Sequence, residues 1–221
     1  MQYTFSLEAS DQYHLDDFIV SSSNIQAYET IQKWPSNWGY LPYPNSILIQ
    51  GPASSGKTYL TKIWQNKSNA YLLNKQETPN NEILSFHHAF IIEDIELWEE
   101  KQVLHYFNWI NANNKSLLIT SSNNMLNFTL NDLSSRINSL TTIKIGPLDQ
   151  ELMRIFLFKL FSTHSIKYAS QVQEYLMTIL PRNFDQIIKF VIDINKFALA
   201  NKRNLTIPLI KDFLQQISPE I

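Results

Sequence analysis

The chain has no cysteine, only four glycines in 221 residues, and few charges of either sign. The missing cysteines exclude disulfide staples, thiolate metal sites and thiol nucleophiles. Charged residues make up 17% of the chain, with 18 Lys and Arg against 20 Asp and Glu, for a net charge of −2. So small a balance argues against DNA or an anionic membrane as the main direct partner. No apolar run approaches the roughly 20 residues that span a bilayer, so no membrane association is expected. The N-terminus lacks a basic segment followed by an apolar stretch, so no signal peptide is expected and the cytoplasm is the expected location. His14, His87, His88, His105 and His164 show no metal-ligand spacing.

What is present is a long alternation. Residues 21–34 have helical spacing, with Ile25, Tyr28 and Ile31 on one face. Residues 35–45 hold three prolines and a glycine and read as a connector. Short apolar strands are predicted at 46–50, 70–73, 88–93, 116–120 and 142–145. Helices are predicted at 57–65 and 96–111, the latter burying Leu97, Val103, Leu104, Phe107 and Ile110. Strands separated by helices imply right-handed crossovers and a mainly parallel five-stranded sheet covered on both faces. After Pro147 the strands stop. Helical spacing recurs at 149–161, 170–180, 185–199 and 207–217, with Asp149 and Thr206 as caps and Pro208 early in the last helix. The expected architecture is an α/β nucleotide-binding domain over residues 13–147 and a small all-helical domain over 148–221, preceded by a tail of residues 1–12.

Gly51, Pro52, Ala53, Ser54, Ser55, Gly56, Lys57 and Thr58 fit G-x-x-x-x-G-K-[ST] in full, after a strand and opening a helix. Such a loop turns backbone N–H groups toward phosphate oxygens, and the helix N-terminus adds partial positive charge. Lys57 is the point charge for the terminal phosphates and Thr58 the magnesium-ligating hydroxyl. Tyr59 follows as a further nucleotide contact. The expected ligand is ADP or ATP with Mg²⁺.

The strand ending at Glu93 and Asp94 supplies two carboxylates. Glu93 is the candidate for the magnesium shell and Asp94 for orienting water. Glutamate is one methylene longer than the usual aspartate, and magnesium tolerates little deviation from octahedral geometry. Thr120, Ser121, Ser122 and Asn123 end the next strand. They suit either phosphate sensing or a turn, and spacing does not choose between the two. Arg136 reads as a solvated surface charge on composition alone. Arg182 opens a helix of the second domain and could turn toward the nucleotide.

Together these segments resemble the DnaA-related AAA+ ATPases, most closely the Hda-like regulators of the replication initiator DnaA. The likeness runs through residues 17–27, the phosphate loop, Phe90 to Glu96, Leu118 to Ser121, Asp132 to Ile137 and Lys202 to Lys211. Ser21 stands where the family usually has glycine. The resemblance implies an AAA+ P-loop domain with a helical lid. It makes Arg136 an arginine finger acting in trans on ATP bound to DnaA. It also makes Gln2, Phe5 and Leu7 a docking motif for the DNA polymerase sliding clamp. The implied activity is stimulated hydrolysis of DnaA-bound ATP, which prevents re-initiation, with DNA reached only through the clamp. A homo-oligomer is compatible with it. Where the family's lid often carries a phosphate-contacting arginine this chain has Asp185, which would repel phosphate. Weak intrinsic hydrolysis is therefore expected, with Arg182 as a partial substitute. No DNA-reading domain is expected after the lid. The competing reading is an autonomous P-loop ATPase, a helicase loader or DnaA paralogue.

Overall fold

The structure is a computed structural model, and residues 18–36, 38–76 and 81–217 are described. Gln2, Phe5 and Leu7, expected as a docking motif, lie outside them. The sheet has strands β1 (Ser46–Gln50), β2 (Tyr71–Leu72), β3 (Ala89–Ile92), β4 (Ser116–Ser121) and β5 (Thr141–Lys144). Its order is β2-β3-β4-β1-β5, and every pairing is parallel. Thus β4, the fourth strand in the chain, is inserted between β1 and β3.

Around the sheet lie α1 (Ile25–Lys33), α2 (Lys57–Ser68), α3 (Asn81–Phe86), α4 (Glu100–Ala112) and α5 (Asn131–Asn138). Side chains alternate across each strand. In β1, Leu48 packs with Val103, Phe107 and Ile137 of α4 and α5. Ile47 and Ile49 face Ile31 and Trp64 of α1 and α2. The interior strands are buried on both sides, which is why they read as unbroken apolar runs. Trp64 is fully buried, stacked on Trp38 with ring centroids 4.8 Å apart and edge-on to Trp34.

The lid consists of α6 (Gln150–Thr163), α7 (Ser170–Ile179), α8 (Phe184–Ala200) and α9 (Ile207–Ile217) around a core of its own that includes Leu157, Phe161, Leu176, Val191 and Leu209. The Asp149 carboxylate accepts the Leu152 N–H at 2.7 Å and caps α6. Thr206 accepts from Leu209 N–H at 3.4 Å, and Pro208 stands in the first turn of α9. No helix among the described residues is long and apolar enough to cross a membrane.

Several expectations are corrected. The helix expected over 96–111 is broken into a 3-10 turn at Ile95–Leu97 and α4. Glu99 is extended between them, so Leu97 leaves the helical register and is 61% exposed rather than buried. The first helix begins only at Ile25, whose side chain is largely exposed; Ala27 and Ile31 fill the core instead. Asn24 stands at its N-cap position without a side-chain cap bond. Its amide instead accepts from Ser21 N–H and donates to the Ile19 carbonyl. Helices α3 and α5 were not expected. They are short, and α5 buries just Leu133 and Ile137, too small a stripe to show a period.

Candidate functional site

The phosphate loop leaves the C-terminal end of β1 and turns into α2. A Cβ on Gly51 would come within 2.7 Å of Ser55 Oγ and 2.9 Å of Ile145 Cβ, so only glycine lets the loop pass β5 here. Gly56 has φ +91°, the left-handed conformation that reverses the chain into the helix. Ser54 is also left-handed, at φ +56°. The Ser55 hydroxyl is buried without a hydrogen-bond partner.

Lys57 is buried, and its ammonium donates to the Gly51 and Pro52 carbonyls at 2.8 and 2.9 Å. Burial pulls its pKa below the ordinary lysine value, while the charges of Asp94, Glu96 and Glu93 pull it back up. An anion at the loop would favour the ammonium further.

Because β4 lies beside β1, Gln50 pairs with Ser121, and the Gly51 N–H donates to the Ser121 carbonyl at 3.1 Å. On the other side of β4, the Thr120 hydroxyl accepts the Asp94 N–H at 3.0 Å. Thr120 thus bridges the strand carrying the acids and the strand beside the loop. Asp94 has φ +50° and makes no side-chain cap bond, so its carboxylate is not used in starting the 3-10 turn. It lines the cleft together with Thr58. Glu93 is engaged otherwise. Its carboxylate lies 2.5 Å from the Thr61 hydroxyl, whose single proton is shared between it and the Thr58 carbonyl at 2.9 Å. Glu96 accepts the Ser122 N–H at 2.7 Å.

Between the loop and the lid lies a cleft of ≈ 570 Å³. One wall runs from Ala53 through Tyr59. The other is apolar, with Phe18, Ile19, Phe156, Leu160 and Phe184. Phe18 stacks parallel on Tyr28 at 5.7 Å and leans on Tyr59 at 5.4 Å. Lys159 and Asp185 reach the cleft from the lid. Arg182 does not line it; its guanidinium donates to the Leu148 carbonyl at 3.3 Å, at the start of the lid. Asp185 instead meets the loop, accepting a hydrogen bond from the Ser54 hydroxyl.

Arg136 stands elsewhere. It lies on α5, which leads into the N-terminal end of β5, and it donates to the hydroxyl of Tyr43, just ahead of β1. It shares a groove with Phe107, Asn108, Asn111 and Asn114. That groove and the phosphate loop are at opposite ends of the strands. The five residues of β1 separate them by about 16 Å. Asp132, one helical turn back, accepts from Nη2 at 3.2 Å and holds Nε at 3.1 Å, off hydrogen-bonding alignment. The Asp132 hydrogen bond raises the Arg136 pKa above its ordinary value despite partial burial.

One contributor had no readable sequence signal. Glu100, on α4, accepts from Thr129 N–H at 2.9 Å and Leu130 N–H at 2.7 Å, and so fixes the segment that enters the helix carrying Arg136. Those bonds, Thr129's first, lower its pKa.

Comparison with known proteins agrees with this architecture. Residues 160–214 match the family model described as Hda, lid domain. DnaA of Helicobacter acinonychis is 24% identical over an alignment of 236 positions, covering 95% of this chain and 52% of that protein. The chain thus spans about half the length of the DnaA proteins it matches. Domain III of Thermotoga maritima DnaA superposes with a TM-score of 0.70 at 18% identity, covering 91% of this chain and 96% of that one. AMPPCP-bound DnaA from Aquifex aeolicus gives 0.69 at 22% identity, covering 83% and 65%. The chain is therefore similar to DnaA proteins over most of its length, shares the fold of their AAA+ domain, and matches the Hda lid model over residues 160–214.

Proposed function

We propose that this protein binds an adenine nucleotide in the cleft between the phosphate loop and the lid, and that it acts as an Hda-like adaptor on DnaA. The apolar wall at Phe18 and Phe156 suits a purine base, and the loop N–H groups with Lys57 suit its phosphates. The residues fit magnesium as well. Thr58 and Asp94 face the same cleft, and Glu93 is held one helical turn from Thr58. Magnesium bound there would neutralise phosphate charge, and Thr58 with one carboxylate would hold it.

The observation that carries the adaptor reading is the separation of Arg136 from the chain's own phosphate loop by the length of β1. At the far end of the strands it faces outward, 32% exposed, where it can enter a neighbouring subunit's site. A guanidinium supplied in trans neutralises charge on a transferring phosphoryl group. On this reading the neighbour is DnaA, and its bound ATP is hydrolysed faster. Gln2, Phe5 and Leu7 dock the adaptor on the sliding clamp, Gln2 at the pocket mouth and Phe5 and Leu7 in apolar ground.

The test is a reconstitution with ATP-loaded DnaA and clamp on DNA. The intact chain is expected to accelerate hydrolysis, and Arg136→Ala to return the rate to that of DnaA alone. Substituting Gln2 and Phe5 is expected to abolish clamp binding and, with it, the acceleration. No acceleration with active components would end this reading. A second reading, an autonomous ATPase, is favoured by Asp94 and Thr58 lining the same cleft. It predicts turnover by the purified chain that needs neither DnaA nor clamp.

A further inference from the structure

Helix α5 carries Arg136 but has little of its own to hold it in place. It is 8 residues long and buries just Leu133 and Ile137, and Leu130 at its N-cap makes no side-chain cap bond. Helix α4 beside it is the firmer body, with Val103, Tyr106, Phe107 and Ile110 buried. The two helices are tied at two levels. At the entry to α5, the Glu100 carboxylate collects three donors. One oxygen accepts the Thr129 N–H at 2.9 Å, and the other accepts the Leu130 N–H at 2.7 Å and the Thr129 hydroxyl at 2.9 Å. Lower down, Phe107 meets the Tyr43 ring edge-on, and the Tyr43 hydroxyl accepts from Arg136. Glu100 and Phe107 are two turns apart, about 10 Å of helix. Leu130 and Arg136 are separated by about 9 Å of helix. The spacing of the two anchors on α4 thus matches the stretch of α5 that they hold.

We propose, resting on the reading of Arg136 as a finger acting in trans, that Glu100 is a positioning residue for that finger. It lies at the opposite end of α5 from Arg136 and acts through the helix, not on the reacting atoms. By fixing the entry of α5 against α4, it sets how far and in which direction the guanidinium reaches from this chain. Tyr43 then sets the guanidinium itself. Three donors converge on the two carboxylate oxygens, which a carboxylate alone can satisfy, since it has acceptors only. A glutamine amide offers one oxygen and turns an N–H toward the rest, so Glu100→Gln keeps the size and undoes the tie. A displacement of about 1 Å at a catalytic group can cost on the order of 100-fold in rate. With the Tyr43 anchor still in place, losing the Glu100 anchor should cost about tenfold.

The test titrates the intact chain into ATP-loaded DnaA with clamp on DNA and follows steady-state hydrolysis. Glu100→Gln is expected to lower the plateau rate about tenfold and to leave the half-saturating concentration unchanged. A mere loss of stability does the reverse: fewer folded molecules raise the half-saturating concentration, and the plateau returns at high concentration. Hydrogen exchange at the Thr129 and Leu130 amides, faster in Glu100→Gln, reports the broken tie without DnaA. Thr129→Val removes one of the three bonds from the other side. It should lower the plateau less, and it carries the test if Glu100→Gln melts early. Arg136→Ala is the reference. If Arg136→Ala abolishes stimulation while these variants keep the full plateau, or lose activity only through half-saturation, Glu100 has no positioning role and the finger reading stands. If Arg136→Ala stimulates like the unsubstituted chain, or the unsubstituted chain does not stimulate at all, both inferences fall together.

Discussion

Arg136 donates through Nη1 to the hydroxyl of Tyr43 at 3.2 Å, a bond that ties α5 to the segment leading into β1. The Tyr43 ring is in turn fixed edge-on against Phe107, with centroids 4.8 Å apart. The guanidinium is thereby aimed from two sides, by Asp132 along the helix and by Tyr43 across it. Tyr43→Phe keeps the ring contact and removes the acceptor. It should lower stimulation of DnaA hydrolysis several-fold, with stability lost by only about 1 kcal/mol. Arg136→Ala should remove stimulation entirely. Equal activity of Tyr43→Phe and the unsubstituted chain in a steady-state assay would show that the aim of Arg136 is set elsewhere.

On the nucleotide reading proposed above, Lys57 should make binding sensitive to alkaline pH. Burial lowers its pKa in the free chain, against the opposing pull of Asp94, Glu96 and Glu93. A phosphate beside it raises the pKa again, so binding takes up protons as the pH climbs toward the lowered value. Affinity should therefore fall from neutral to alkaline pH. Calorimetry in buffers of different ionisation enthalpy should report proton uptake that grows with pH. Lys57→Ala should lose this uptake together with the stabilisation of about 4 kcal/mol expected at nucleotide about 1,000-fold above its dissociation constant.

Asp149 joins the lid to the N-terminal segment. It caps α6 through Leu152 N–H and accepts from the Ser22 hydroxyl at 3.2 Å. Burial alone would raise its pKa; the Leu152 N–H and the hydroxyls of Ser21, Ser22 and Ser23 outweigh that and lower it. A carboxylate with a lowered folded-state pKa contributes stability that is complete above its ordinary value of 3.8 and lost as the pH falls through the lower, folded value. Asp149→Ala should cost about 1 kcal/mol near neutrality. The difference between variant and unsubstituted chain should shrink in acid denaturation curves as the pH drops below that range.

Thr120→Val tests the bridge between β3 and β4. Valine retains the shape and leaves the Asp94 N–H without its 3.0 Å acceptor. An unsatisfied amide in a part-buried position costs about 1–3 kcal/mol, readable as a lower denaturation midpoint. Nucleotide affinity should fall with it, because Asp94 loses its anchor. Thr120→Ser, which restores the hydroxyl, should recover both.

Much of the fold could be read along the chain. The loop from Gly51 to Thr58 is a contiguous motif whose chemistry lies in backbone N–H groups and one lysine, so order along the chain suffices to find it. The interior strands β1, β3 and β4 stand out because strands buried on both faces of a parallel sheet need unbroken apolar runs. The lid helices announce themselves by long amphipathic spacing and by Asp149 and Thr206 at their caps. Local signals failed where an element was too short to show a period, as in α3 and α5. They failed again where a backbone break took Leu97 out of the helical face.

Other relationships depend on residues far apart in the chain. No local signal says that β4 is inserted between β1 and β3, yet that order puts Thr120 on Asp94 and Ser121 against the loop. The separation of Arg136 from Lys57 is a distance across the sheet, invisible in their spacing of 79 positions. The meeting of Asp185 with Ser54 spans 131 positions and depends on how the lid closes over the loop. Hydrophobic periodicity and loop chemistry are local and survive in the linear order of residues. Which strand lies next to which, and which charge faces which, follow from how buried faces pack together, and that exists only in the folded chain.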